Sequence, residues 1–280
     1  MVRPRYTLAH LTDLHLRPAA DPLVGGVVDG LARTRRAIAV LERWDWPCDA
    51  WFFGGDLSDT GHAETYEALR DLVEPAARAR GVRVIWAHGN HDAPDAFARL
   101  LLREPDARPP LNREYRLGGL RFLVLDSNVP GAPHGLVTDA SLAWLAGRLA
   151  SPAPDGTLLA VHHAPIAPVQ DAAGLWDLRN RDALAEVVRG RDVRLILGGH
   201  FHQTSFATLG GVPVVGASSV TYAHDLAAGR TLRGQDAGQG FSLVQVYDDT
   251  VVCTAVPDAV GAAVHRSITP DQARDLPGWP

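Results

Sequence analysis

Val84-Ile85-Trp86-Ala87-His88-Gly89-Asn90-His91-Asp92 passes from an apolar run straight into glycine, an amide, an imidazole and a carboxylate. A buried strand whose carboxyl end opens onto a site has this form, because ligands gather outside the carboxyl ends of strands in open α/β sheets. The same grammar recurs along the chain. Tyr6-Thr7-Leu8-Ala9-His10-Leu11-Thr12 runs into Asp13-Leu14-His15, and Ala50-Trp51-Phe52-Phe53 runs into Gly54-Gly55-Asp56. Leu158-Leu159-Ala160-Val161 ends in His162-His163, and Arg194-Leu195-Ile196-Leu197 ends in Gly198-Gly199-His200-Phe201-His202. Strand ends that each carry Asp, Asn or His make a metal centre the leading reading.

Singly, each motif is weak: an Asp-x-His or His-x-His pair at a strand end is usually incidental. Together they are hard to explain as core or turn residues. Residues i and i+2 of a strand point the same way, which predicts that Asp13 and His15 approach one ion. The whole set offers more donors than the about four to six that one ion takes, so two ions are the natural count. Nitrogen and oxygen donors without thiolate leave manganese, iron and zinc open. Two dications against two ligand carboxylates leave the pocket cationic and suited to an anionic phosphate ester.

The rest of the chain reads as scaffold. Leu31, Ile38 and Leu41 mark a helix, and Ala63–Arg80 another, which Pro75 is expected to kink or divide. Pro94–Arg103 predicts a short helix with proline in its first turn. Glu114–Leu117 and Arg121–Leu125, joined by Gly118-Gly119, predict a hairpin. Thr138 or Asp139 caps the helix that carries Leu142, Trp144, Leu145 and Leu149, and Arg181–Arg189 forms a further helix. Hairpin signals at Gly210-Gly211 and Asp248-Asp249-Thr250 make the C-terminal third antiparallel. A βαβ-like first part and a β-rich last part predict two mixed sheets between helical layers. No repeat or linker divides the chain. One domain over residues 1–280 is expected, with a tail from 260 that includes one capped turn at 269–274.

Of the 280 residues, 46% are hydrophobic and 21% charged, the proportions of an ordinary globule with a substantial core. The net charge of -5 lacks the basic footprint of a nucleic-acid or anionic-membrane surface, so neither partner is expected. Cys48 and Cys253 are the two cysteines, and they read as buried thiols of a reducing cytoplasm. Met1–Arg5 leads into the first strand without an apolar signal segment, which predicts a cytoplasmic location.

The series Asp13-x-His15, Gly55-Asp56, Gly89-Asn90-His91-Asp92, His162-His163 and Gly199-His200-x-His202 resembles the calcineurin-like metallophosphoesterase superfamily. More narrowly, it resembles the bacterial class III cyclic nucleotide phosphodiesterases, over nearly the whole chain, including Asp177–Leu184 and Thr221–Leu226. The resemblance implies an α/β fold, a four-layer αββα sandwich with two mixed β-sheets. It implies one metal at Asp13, His15, Asp56 and His202, and a second at Asp56, Asn90, His162 and His200, with Asp56 bridging. His162 is preferred to His163 because it takes the family's first-histidine position, although Ala164 stands where the family often has proline. Iron and manganese are the expected ions, with zinc as the alternative.

The implied activity is hydrolysis of 3′,5′-cyclic AMP or GMP and other phosphodiesters by a water activated between two ions. His91 is expected to stabilise or protonate the leaving alkoxide. Asp92 either orients His91 or serves the loop as a backbone acceptor. Asn90, His91 and His134 are the substrate-binding candidates, with Arg179, Tyr222 and His224 further out. A homodimer is the expected assembly. A phosphodiesterase of glycerophosphodiesters or 2′,3′-cyclic nucleotides is the alternative, ahead of a phosphomonoesterase or a non-catalytic scaffold, which would be expected to lose ligands.

Overall fold

Strand alternation divides the apolar residues among three separate cores, and that division sets the architecture. The computed structural model describes residues 3–258, 269 and 272–273. In β1 (Tyr6–Leu11) and β2 (Ala50–Gly54), Leu8, Ala50 and Phe52 enter one core, whereas Ala9, Leu11, Trp51 and Phe53 enter a second. In β5 (Leu120–Leu125) and β6 (Thr157–His163), Phe122, Val124, Leu158 and Ala160 join the first core. Leu123, Leu125, Leu159 and Val161 enter the third. Each of these strands is thus covered on both faces, as parallel sheets require.

The first sheet has the order β13 (Val251–Pro257), β12 (Gly240–Val246), β1, β2, β3 (Arg83–Ala87). The second has the order β4 (Arg113–Leu117), β5, β6, β7 (Val193–Gly199), β9 (Val212–Gly216), β8 (Ser205–Leu209). The sheets pack face to face, with the Phe52 and Phe122 rings 4.9 Å apart between them. Helices α1 (Gly30–Arg43), α2 (Ala63–Ala79) and α3 (Pro94–Phe97) cover the outer face of the first sheet. Helices α4 (Asp139–Arg148) and α5 (Arg181–Val188) cover that of the second. The result is the expected αββα sandwich of two mixed sheets.

Local expectations fare unevenly. Asp29 caps α1 by accepting from Ala32 N at 2.9 Å, and Thr138 caps α4 by accepting from Ser141 N at 3.1 Å. The β4–β5 hairpin is antiparallel as anticipated. Pro75 does not divide α2. It lies on the exposed side, where water can serve the carbonyl deprived of its N–H, while Tyr66, Leu69 and Val73 hold the buried face. The C-terminal third is not wholly antiparallel. Hairpins β8–β9 and β12–β13 form, yet β9 lies parallel to β7. Val214 and Val215 are buried on opposite faces, so β9 takes an interior place and leaves the edge to β8, whose Phe206 is exposed. Pro94–Phe97 continues as a π-turn over Ala98–Leu102. Thr269 and Gln272 cap each other, while the rest of the expected tail turn lies outside the described residues. Cys48 and Cys253 are free and half-buried. No helix among the described residues is long and apolar enough to cross a membrane.

At the end of the second sheet opposite the site, the buried Arg121 fastens the starts of three strands. Its guanidinium donates to both Asp192 oxygens at 2.9 Å, to Thr157 Oγ1 at 2.8 Å and to Ser151 O at 3.1 Å. Arg121→Leu removes the cation that neutralises the Asp192 carboxylate, leaving it only Ala153 N and Thr157 Oγ1 as donors, and should lower the unfolding free energy by about 3–5 kcal/mol. Urea denaturation measures this, and a loss below about 1 kcal/mol would show that the pair does not hold the strand starts together.

Candidate metal centre

The parallel strands deliver their carboxyl ends to one place. Among the described residues, three groups of side chains gather there: Asp13, His15 and His202 in one, Asp56, His162 and His200 in another, and His15, Asp59 and His91 in a third that shares His15 with the first, with ligating atoms within 4.8 Å of one another in each group. In the first, His15 Nε2 and His202 Nε2 stand 3.1 Å apart, and His202 Nε2 is 3.3 Å from Asp13 Oδ1. In the second, His162 Nε2 is 3.3 Å from Asp56 Oδ2. That same Asp56 oxygen is 3.8 Å from His15 Nε2, so one carboxylate faces both of these groups.

The backbone that achieves this is unusual. Positive φ occurs at Asp13 (56°), His15 (44°), Asp56 (50°), His200 (72°) and His202 (52°). The left-handed region is disfavoured for residues with a Cβ, and such outliers collect at functional sites. Asp13 and His15 therefore share a target through two left-handed residues beyond the end of β1. The strand alternation expected for them does not apply, because β1 stops at Leu11. Glycines let the loops close in: a Cβ on Gly89 would strike the Asp56 side chain, and one on Gly55 would strike the His162 ring.

Carbonyls and one carboxylate orient the rings from behind. His162 Nδ1 donates to Gly54 O at 2.9 Å, His202 Nδ1 to Tyr222 O at 3.0 Å, and His200 Nε2 to Trp176 O at 2.9 Å. Each bond fixes the tautomer and leaves the opposite nitrogen as an acceptor, the arrangement typical of metal-binding histidine. His15 Nδ1 meets Asp59 Oδ1 at 2.9 Å, and Arg17 Nε donates to Asp59 Oδ2 at 2.7 Å. Burial opposes ionisation of Asp59, but His15 and Arg17 outweigh it and hold the carboxyl at about 2. The Asp13 carbonyl accepts from Ser219 Oγ and Thr221 Oγ1, each at 2.8 Å.

Charge in the site is strongly redistributed. Burial pushes the Asp56 carboxyl up, yet His162 beside it outweighs burial and holds it well below the usual carboxylate range. Burial likewise lowers His162, and the Asp56 charge more than reverses this, to about 9. His200 falls to about 3 through burial and the neighbouring His162.

A metal pair fits this donor set. Asn90 Oδ1 is buried without a hydrogen-bond partner among the described residues, a costly condition that coordination relieves. His163, by contrast, has both ring nitrogens engaged, with Ser127 Oγ at 2.8 Å and Pro133 O at 3.2 Å. His91 lies at the rim with its side chain 42% exposed, and its Nδ1 meets Asp59 O at 2.9 Å. His134 is half-buried on the loop whose Pro133 carbonyl meets His163. Arg179 is held by Leu175 O at 2.6 Å, and the His224 ring stacks 5.2 Å from that of His202.

Of the two readings of Asp92, the geometry fits the loop acceptor and leaves no contact to the His91 ring. Asp92 Oδ2 accepts from Gly89 N at 2.8 Å and Leu57 N at 3.1 Å, and Oδ1 accepts from Ser58 N at 2.9 Å and Tyr66 OH at 3.0 Å. Four donors leave no oxygen for His91. Asp59, Ser219, Thr221 and the Trp176 carbonyl were not anticipated. Asp59 stands three residues after Asp56 in what reads as a turn, and a backbone carbonyl has no signature in sequence.

Two mixed sheets closing over paired Asp/His groups define a dinuclear-type metallohydrolase architecture. Residues 6–204 match the calcineurin-like phosphoesterase family model, and the chain belongs to that family. It is 45% identical over 274 residues to a cAMP/cGMP dual specificity phosphodiesterase of Mycobacterium tuberculosis, covering 97% of this chain and 86% of that protein. A 3′,5′-cyclic-nucleotide phosphodiesterase of Nostoc is 27% identical over 254 residues, covering 89% of this chain and 91% of that one. Among solved structures, a dimetal phosphatase from Danio rerio has a TM-score of 0.64 at 15% identity, covering 91% of this chain and 97% of that one.

Asp92→Asn places an NH2 against at least one backbone N–H whichever way the amide turns, because Gly89 N and Leu57 N face one oxygen and Ser58 N faces the other. Thermal or urea unfolding should show about 1–3 kcal/mol of lost stability. Unchanged stability together with a large loss of activity would return Asp92 to an orienting role on His91.

Proposed function

We propose that this protein hydrolyses 3′,5′-cyclic nucleotides, cAMP and cGMP, and related phosphodiesters at a dinuclear metal centre. The observation that carries the reading is Asp56 Oδ2 lying between His15 Nε2 and His162 Nε2. The substrate class is supported by the phosphodiesterases that share 45% and 27% of their aligned residues with this chain. Asp13, His15, Asp56 and His202 would hold one ion, and Asp56, Asn90, His162 and His200 the other. Bound there, the pair would polarise the phosphoryl oxygens and lower the pKa of a water. Iron and manganese are the favoured ions, and a homodimeric, single-domain cytoplasmic enzyme completes the reading.

The protein's own groups account for the remaining chemistry. His91 N donates to Asp56 Oδ1 at 2.9 Å, which ties the loop to the bridging carboxylate. With Nδ1 donating to the Asp59 carbonyl, the His91 Nε2 is the nitrogen free to carry a proton toward substrate. Burial lowers His91, but the Asp56 charge and the Asp59 carbonyl outweigh it and raise the pKa above the ordinary histidine value. A protonated ring placed there can give its proton to the departing alkoxide. His134, on its neighbouring loop, is a candidate contact to the phosphoryl group.

A proton donor matters in proportion to leaving-group basicity. His91→Ala should keep both metals and most of its activity on a 4-nitrophenyl diester, while losing about 10²–10⁴-fold on cAMP. Equal losses on the two substrates with metal content intact would assign His91 to phosphoryl binding. Loss of metal would make it a structural residue.

A further inference from the structure

On the Asp13, His15 and His202 side of the centre, two small ribbons face each other across a notch of about 340 Å³, within the usual span of small-molecule sites. One ribbon is the turn at 24–28, where Val24 and Val28 bond each other in both directions at 3.0 Å. Gly25 and Gly26 close that turn with φ of 57° and 75°. The other ribbon pairs β10 (Ala223–His224) with β11 (Gly234–Gln235). Tyr222 connects notch and centre: its ring lies 4.2 Å from that of His202 and 5.6 Å from that of His15.

The walls are largely apolar, and the Gln235 carboxamide is a polar group among them that is free to act. Val27 is 66% exposed, an apolar side chain that folding leaves in water. Asp236 also borders the notch but is spent, being bonded to Arg33 and accepting from Gln239 Nε2 at 2.7 Å. The exposed Gln235 amide has no hydrogen-bond partner among the described residues.

Resting on the phosphodiesterase reading above, we propose that this notch is the purine subsite, with Val24, Val27 and Tyr222 as its walls and Gln235 as the group that reads the base. A cyclic nucleotide whose phosphate sits at the centre carries its base one ribose away, and Tyr222 spans that step. Adenine presents an N6–H donor beside the N1 acceptor, and guanine presents the O6 acceptor beside the N1–H donor. A carboxamide offers a donor and an acceptor side by side, so half a turn of Gln235 fits it to either base. One residue thereby accepts both cyclic purine nucleotides.

The test is steady-state kinetics of the metal-loaded enzyme on cAMP, cGMP and methyl 4-nitrophenyl phosphate, a diester without a base. In Gln235→Glu, two acceptor oxygens match the N1–H and N2–H pair of guanine and oppose N1 of adenine. The cGMP to cAMP ratio of kcat/KM should rise about tenfold or more, the discrimination expected of a bidentate contact. Val27→Ser should raise KM for both nucleotides about fivefold through lost apolar contact. Both variants should stay within about twofold of wild type on the methyl ester, since only base binding changes. An unchanged ratio in Gln235→Glu, or equal losses on all three substrates, would overturn the subsite and leave the phosphodiesterase reading standing. Wild-type protein that cleaves the methyl ester but neither cyclic nucleotide would remove that reading and the subsite with it.

Discussion

The rest of the structure depends on keeping a buried carboxylate, that of Asp56, ionised between two imidazoles. Asp56 is 2% exposed, and an unpaired buried charge would cost several kcal/mol or lose its ionisation. His15 and His162 both stand within 3.8 Å of one of its oxygens, and the His91 N–H bonds the other. That arrangement requires loops from separate strands to meet within a few ångströms. The two sheets meet the requirement by presenting their parallel strand ends to the same side, over a core filled by residues such as Phe52, Phe122 and Leu197.

Strain and reach follow from the same demand. Aspartates and histidines in left-handed backbone, glycines where a Cβ would collide, and carbonyls that fix each ring all position donors before any ligand arrives. Conformations of this kind persist only where the surroundings over-determine them. Here Asp92 gathers the loops after β2 and β3 on four hydrogen bonds, and Ser219 and Thr221 hold the Asp13 carbonyl. Preorganised donors of this sort suit a reaction in which charge develops on phosphoryl oxygens.

Much of this was legible in the sequence because uninterrupted apolar runs break abruptly into ligand-type residues. Val84–Ala87 before Gly89-Asn90-His91-Asp92 and Leu158–Val161 before His162-His163 identify both strand and site. Turn chemistry was equally plain at Gly118-Gly119 and at Thr138. What stayed hidden depends on tertiary context. Nothing local distinguishes a left-handed Asp13 from a strand residue, or shows that Asp92 serves backbone donors. That Pro75 is tolerated follows from its exposed position in α2, and that β9 inserts beside β7 follows from burial of Val214 and Val215 on both faces. The carbonyls behind the histidines belong to residues such as Gly54 and Trp176, whose side chains carry no ligand chemistry.

The central claim, that Asp56 bridges two ions, is tested most directly by anomalous diffraction from crystals of the manganese-loaded protein. Two peaks per chain are predicted, on either side of the Asp56 carboxylate. One should lie against Asp13, His15 and His202, and the other against Asn90, His162 and His200. A single peak, or two peaks of which only one touches Asp56, would contradict the account.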